Sequence, residues 1–144
     1  TLLLVMDSYV ELYKGGIVPL ADFVNMPYDR DILVRVIVKK TAAHYSYKSV
    51  RISKTDFPVL TCAAALTQKG VQAAVGARPA KAALVKDAEQ LATLPMTAEK
   101  AQAFAEYAAG LLPTETNPRG SAAYRTHLIK VLTARCLTEL GGKA

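Results

Sequence analysis

The sequence has little of what metal binding and nucleophilic catalysis need, since its 144 residues include two cysteines and two histidines. Cys62 and Cys136 lie far apart, and neither has a second cysteine or a histidine at the spacing of a zinc site. His44 and His127 have no serine, cysteine or carboxylate at a spacing typical of a catalytic pair. We therefore predict neither a metal site nor a catalytic residue in this chain.

The local signatures of phosphate loops and zinc helices are missing as well, since no GxGxxG, GxxxxGKS/T or HExxH occurs. No apolar run approaches the roughly 20 residues that a membrane-spanning helix requires, so we expect no membrane association. Polar low-complexity tracts are absent and the charged fraction is 21%, which argues against disorder. With 51% hydrophobic residues, the chain is long enough for one main domain.

The balance of charge is basic: eighteen Lys and Arg against twelve Asp and Glu give a net charge of +6 and a pI near 9.4. This balance leaves open a stand-alone binding domain for nucleic acid or another polyanion. The basic residues are spread from Lys14 to Lys143 and do not form a stripe interleaved with aromatics. We therefore expect solvated surface charge and no nucleic-acid site.

Both cysteines fall among apolar residues. Cys62 lies in the apolar run 59–63, and Cys136 lies on the apolar side of a predicted helix, where a free thiol behaves as a small hydrophobic group. We expect two core thiols in a reducing cytoplasm, with a single disulfide as the open alternative.

The first half of the chain has the alternation and the β-branched residues typical of strands. The predicted strands cover residues 2–6, 8–13, 17–20, 31–38, 44–52, 59–66 and 71–75. Strands 31–38 and 44–52 are expected to pair with each other in antiparallel orientation, and the last two strands to form a hairpin around Thr67-Gln68-Lys69-Gly70. The run 2–6 enters without a polar lead-in, so we expect further polypeptide before it.

The second half changes to helical spacing, with Leu84, Val85, Ala88 and Leu91 predicting a helix after Pro79. Thr97 and Ser121 are predicted N-caps of a second and a third helix. Strands first and helices after predict an α+β fold, in which a small antiparallel sheet of three to four strands is covered on one face by about three helices.

Four segments occur in an order that is not generic: residues 17–23 (IVPLADF), 31–34 (DILV), 45–58 (YSYKSVRISKTDFP) and 119–125 (RGSAAYR). Together they resemble the C-terminal domain of the FAD-binding, flavoprotein subunit of molybdenum hydroxylases, the xanthine dehydrogenase and carbon monoxide dehydrogenase family. By this resemblance, residues 1–28 are the tail of the preceding flavin-binding domain, and residues 29–144 are the flavoprotein C-terminal α+β domain.

The resemblance implies an electron-transfer complex. A molybdenum subunit oxidises substrate, iron–sulfur clusters carry electrons, and FAD in the full subunit passes them to an acceptor. This chain would flank the flavin beside an upstream flavin-binding domain, without being catalytic alone. No FAD is expected on the isolated chain, because the glycine-rich phosphate loops are missing. A homo-oligomer that buries an exposed strand edge against itself is a further alternative.

Two positions match the family's motif as flavin contacts, namely Leu33 in Ile32-Leu33-Val34 and Lys48 after Tyr47. Both lie on the strands expected to pair. The sequence departs from the family pattern at Asn117-Pro118, where an acidic residue is usual, so a salt bridge is expected to be lost there. Because this departure touches neither Leu33 nor Lys48, the predicted flavin contacts are unaffected.

Overall fold

The structure, a computed structural model, describes residues 1–28, 30–68 and 70–142. Its elements are α1 (Leu2–Val5), β1 (Ser8–Leu12), β2 (Gly16–Pro19), α2 (Leu20–Phe23), β3 (Leu33–Val38), β4 (His44–Val50), β5 (Leu60–Thr67), β6 (Gly70–Gly76), β7 (Ala83–Lys86), α3 (Ala98–Leu111) and α4 (Ala122–Gly141). The α+β class is confirmed. Asp29, at the predicted domain boundary, and Lys69, in the predicted hairpin connection, lie outside the described residues.

The strands form two antiparallel sheets where one was predicted: a three-stranded sheet in the order β2-β1-β3 and a four-stranded sheet in the order β4-β5-β6-β7. In the first, Val10 of β1 pairs with Val18 on one side and Val36 on the other. The turn after β1 needs Gly16, whose φ of +69° suits a residue without a side chain. The expected pairing of strands 31–38 and 44–52 is wrong, since β3 pairs with β1 and β4 pairs with β5.

The second sheet carries the main core. The predicted hairpin is confirmed as β5 and β6, with Ala64 opposite Ala73. One face of this sheet packs against α3 and α4 in a cluster that includes Leu60, Phe104 and Leu137. The other face is lined by small residues, which let the one-turn helix α1 approach closely.

Two predicted elements take another form. Residues 2–6 were predicted as a strand, but Leu2–Val5 is a helical turn that buries Leu4 and Val5 against the second sheet. The helix predicted after Pro79 is wrong as well, because Ala83–Lys86 is strand β7 and pairs with β6. Its side chains alternate, with Val85 in the helix-facing core and Leu84 on the opposite face. A short apolar run is compatible with both the helical period of about 3.6 residues and the strand period of about 2 residues, so the pairing with β6 decides its conformation.

In the described part of the chain, two long helices, α3 and α4, therefore cover the sheet, where three helices were predicted. Both predicted N-caps are confirmed: Thr97 Oγ1 accepts a hydrogen bond from the Lys100 amide at 3.3 Å, and Ser121 Oγ accepts one from the Tyr124 amide at 3.1 Å. At the end of α3, Leu111 is exposed and its neighbour Leu112 is buried. Cys62 and Cys136 are buried free thiols, which confirms their core position and leaves the disulfide alternative unrealised.

Candidate functional site

The first predicted flavin contact, Leu33, begins the edge strand β3 opposite Leu12. Its side chain is 45% exposed. It lines a cavity of about 310 Å³ together with apolar residues such as Phe23 and Met26. Leu33 therefore offers an apolar contact at the surface of the three-stranded sheet.

The second predicted contact, Lys48, lies on β4 opposite Cys62, so its side chain shares the face that packs against α4. Its Nζ donates a hydrogen bond to Glu139 Oε2 at 2.8 Å. The buried hydroxyl of Ser46 donates to the same oxygen at 2.9 Å. The hydrogen bond to Glu139 raises the pKa of Lys48 above its ordinary value, so the ammonium is charged at neutral pH.

The structure thus places Leu33 and Lys48 in different sheets and not on paired strands. The chemistry of the two groups suits a flavin ring, whose faces take apolar contacts and whose reduced form carries negative charge that an ammonium stabilises. It does not suit the pyrophosphate, because the sequence has no glycine-rich loop to supply backbone donors. The residues present fit one end of FAD only.

β3 carries an apolar surface at the end of its sheet. β3 is the last strand in the order β2-β1-β3, so one of its edges is unpaired within the described residues. Large apolar side chains along this segment are exposed: Ile32 65%, Leu33 45%, Val34 53%, Val36 44% and Val38 40%. An open, apolar and β-branched edge is a surface that proteins normally cover or protect with charge.

A larger cavity, of about 690 Å³, lies between the two sheets. It is lined from both sides, for example by Tyr9 and Leu20 near the first sheet and by Tyr45 and Gln72 in the second. Neither Leu33 nor Lys48 lines it. This cavity is therefore separate from the predicted flavin contacts.

Other candidate chemistry is scarce. His44 and His127 are both exposed. Across residues 1–28, 30–68 and 70–142, no three His, Cys, Asp or Glu side chains are grouped so as to hold a metal ion. None of the helices in this part of the chain combines the length and hydropathy required to cross a bilayer.

Sequence reasoning did not identify Glu139. This residue lies 91 positions after Lys48, on the polar side of α4, and the sequence carries no local signal for the contact. The pairing arises because β4 and α4 pack together in the fold. The candidate site therefore consists of Leu33 on the three-stranded sheet and of a cluster that Ser46 and Lys48 of β4 form with Glu139 of α4.

The protein family described as the CO dehydrogenase flavoprotein C-terminal domain matches residues 45–140. None of the curated proteins matches the chain.

Solved structures that share the fold include the following three. Quinoline 2-oxidoreductase from Pseudomonas putida 86 is 21% identical in sequence, with a TM-score of 0.75. A carbon monoxide dehydrogenase from Hydrogenophaga pseudoflava that lacks the Mo-pyranopterin moiety of the molybdenum cofactor is 18% identical, with a TM-score of 0.82. Reconstituted CO dehydrogenase from Oligotropha carboxidovorans is 18% identical, with a TM-score of 0.74. Each match covers 99% of this chain but only 55%, 55% and 56% of those chains, respectively. The chain thus spans about half the length of these structural relatives.

Proposed function

Because the chain belongs to the CO dehydrogenase flavoprotein C-terminal domain family, we propose that it works as the C-terminal part of the flavoprotein subunit of a molybdenum hydroxylase. In that role it flanks FAD, which when bound takes electrons from iron–sulfur clusters and passes them to an acceptor. The family match over residues 45–140 carries this proposal. The chain's own contribution is to contact and orient the flavin end of the cofactor.

We assign Leu33 and Lys48 to the flavin. Leu33 supplies an exposed apolar side chain, and Lys48 supplies a cation whose position is fixed by Glu139 at 2.8 Å. An ammonium beside the ring favours the reduced, negatively charged flavin over the oxidised form. The phosphates are held elsewhere in the subunit, so the isolated chain does not retain FAD.

The partner of the β3 surface is, in this proposal, the rest of the flavin-binding domain of the same subunit. Two observations support it: β3 has an unpaired apolar edge in the described part of the chain, and the structural relatives contain nearly as much additional polypeptide again. The iron–sulfur and molybdenum subunits of the complex are proposed as more distant partners.

The domain division proposed from sequence separates residues 1–28 from 29–144. The pairing of β3 with β1 favours a later division, in the connection between Val38 and His44. The family match, which begins at residue 45, agrees with this later position. We therefore propose that β1, β2 and β3 belong with the flavin-binding domain, and that the C-terminal domain begins at β4.

No finding favours the alternative of a domain that binds nucleic acid or another polyanion. Five basic side chains are already engaged in salt bridges with carboxylates, those of Arg35, Lys39, Lys48, Arg119 and Lys130. Ion pairs of this kind are typical of a charged, solvated protein surface.

The test is an FAD titration of the isolated chain and of the complete subunit, followed by flavin fluorescence. We expect binding by the complete subunit only. In that subunit, Lys48→Met should weaken FAD binding about fivefold or more, since it removes an interaction worth roughly 1 kcal/mol. The matched control is Lys130→Met, which removes an ammonium paired with Glu106 at 2.6 Å and should leave the affinity unchanged. Equal affinities for the two variants and the unsubstituted subunit would contradict the assignment of Lys48.

A further inference from the structure

One carboxylate oxygen joins the candidate flavin-facing lysine to the last long helix. Glu139 Oε2 accepts hydrogen bonds from Lys48 Nζ at 2.8 Å and from Ser46 Oγ at 2.9 Å. Ser46 and Lys48 are two residues apart on β4 and therefore share one face of the strand. The buried serine hydroxyl fixes the carboxylate, and the carboxylate in turn fixes the ammonium.

Two charged groups act on the Lys48 ammonium in opposite directions. Glu139 acts to keep it protonated, and the guanidinium of Arg135 acts against it. The side chains of Lys48 and Glu139 are 32% and 39% exposed, so each has one side toward solvent or a bound group. A group that approaches Lys48 therefore experiences the cation together with a carboxylate less than 3 Å from it.

We propose that Glu139 is a positioning residue for the flavin: it holds the Lys48 ammonium in place and offsets part of its charge. The inference rests on the proposed function, because it requires a flavin beside Lys48. It implies that the pair, and not the lysine alone, sets how strongly this site favours the reduced flavin. Ser46 completes the arrangement by orienting the Glu139 carboxylate.

The proposal predicts opposite effects for the two members of the pair. Lys48→Met removes positive charge next to the ring, which destabilises the reduced, negatively charged flavin and lowers its midpoint potential. Glu139→Gln has nearly the same shape and retains an oxygen that accepts hydrogen bonds from Ser46 and Lys48, but it removes the opposing charge. It should therefore raise the midpoint potential.

The experiment measures the flavin midpoint potential by spectroelectrochemistry in the complete, FAD-loaded subunit. The variants are Lys48→Met, Glu139→Gln and the control Glu106→Gln. Glu106 forms the same kind of lysine pair, with Lys130 at 2.6 Å and at similar exposure, but it lies on α3 and away from β4. We expect a negative shift for Lys48→Met, a positive shift for Glu139→Gln and no shift for the control.

The outcomes separate the inference from the proposed function. No shift for Lys48→Met would overturn the assignment of this lysine to the flavin. A shift for Lys48→Met without a positive shift for Glu139→Gln would overturn the role of Glu139 alone. Equal shifts for Glu139→Gln and Glu106→Gln would also overturn it, because they would show a long-range effect of net charge. A purely structural Glu139 would change thermal unfolding and leave the potential unmoved.

Discussion

Arg125 on α4 donates a hydrogen bond from Nε to the carbonyl oxygen of Val59 at 3.0 Å, across 66 residues of sequence. Its Nη1 donates to the carbonyl oxygens of Glu115 and Gly120 at 2.6 and 2.7 Å, and its Nη2 to Asn117 Oδ1 at 2.6 Å. The residue is only 1% exposed. This side chain connects the start of β5 to the loop before α4. At Asn117, where the departure from the family pattern predicts the loss of a salt bridge, the side-chain amide oxygen accepts a hydrogen bond from Arg125.

Arg125→Lys should therefore destabilise the chain strongly. A lysine cannot reproduce the planar set of donors, so buried carbonyl oxygens lose their partners, at a cost of about 3 kcal/mol in total. Chemical denaturation measures the loss. The control is Arg119→Lys, at a partly exposed site near Asp56 and Phe57, which should change the free energy of unfolding by less than about 0.5 kcal/mol. Similar losses for both variants would refute the special role of Arg125.

Local sequence signals predicted where the two long helices begin. Thr97 and Ser121 cap α3 and α4 as expected, because a cap depends on residues within one turn. The pairing of the strands was harder to predict, because β3 pairs with β1, which precedes it in the chain, and not with β4, which follows it. The choice depends on which apolar faces meet in three dimensions, and the β-branched pattern of residues 31–38 carries no information on that.

The candidate site was predictable only in part. Leu33 and Lys48 came from a family pattern, and their contact with flavin stays a prediction. Glu139 could not be found, since its link to Lys48 exists only after α4 packs on β4. Long-range polar pairs of this kind have no spacing rule that a single sequence reveals.

The open edge of β3 should promote association of the isolated chain. Val34 is 53% exposed on this strand, and Val34→Lys places a charge where another strand would pair. We expect light scattering to show an average mass that rises with concentration for the unsubstituted chain and rises less for the variant. Ala103→Lys adds the same charge at an exposed position on α3 and should leave association unchanged. Equal association of all three chains would mean that the edge is not the contact.

The two thiols should resist alkylation while the chain is folded. Hydrogen bonding with Cys136 and burial raise the pKa of the Cys62 thiol well above its ordinary value, which disfavours the reactive thiolate. The same hydrogen bond lowers the pKa of the Cys136 thiol, so the protection of Cys136 rests on its complete burial. Iodoacetamide at neutral pH should leave Cys62 and Cys136 unmodified in the native chain and modify both after denaturation, as read by mass spectrometry. An exposed control, Ala103→Cys, should react at once. Rapid native labelling of Cys62 would disprove its protection.

The Lys48–Glu139 pair should lose its contribution to stability as the pH becomes alkaline, and it should keep this contribution near neutral pH. The hydrogen bond to Glu139 raises the pKa of Lys48 above that of an unfolded lysine, near 10.4. The contribution is therefore present below that pH and is lost as the pH rises through the higher pKa of the folded state. The difference in free energy of unfolding between the unsubstituted chain and Lys48→Met should be small, constant near neutrality, and shrink above about pH 10. A difference that is lost on acidification to about pH 6, well above an ordinary glutamate pKa, would contradict this account.

The central claim is that this chain faces the flavin of its subunit, and photolabelling tests it most directly. The complete subunit is loaded with a photoreactive azido analogue of FAD that carries the azide on the flavin ring, irradiated, digested and analysed by mass spectrometry. The account predicts labelled peptides that contain Leu33 or Lys48. Labelling confined to polypeptide outside residues 1–144 would contradict it.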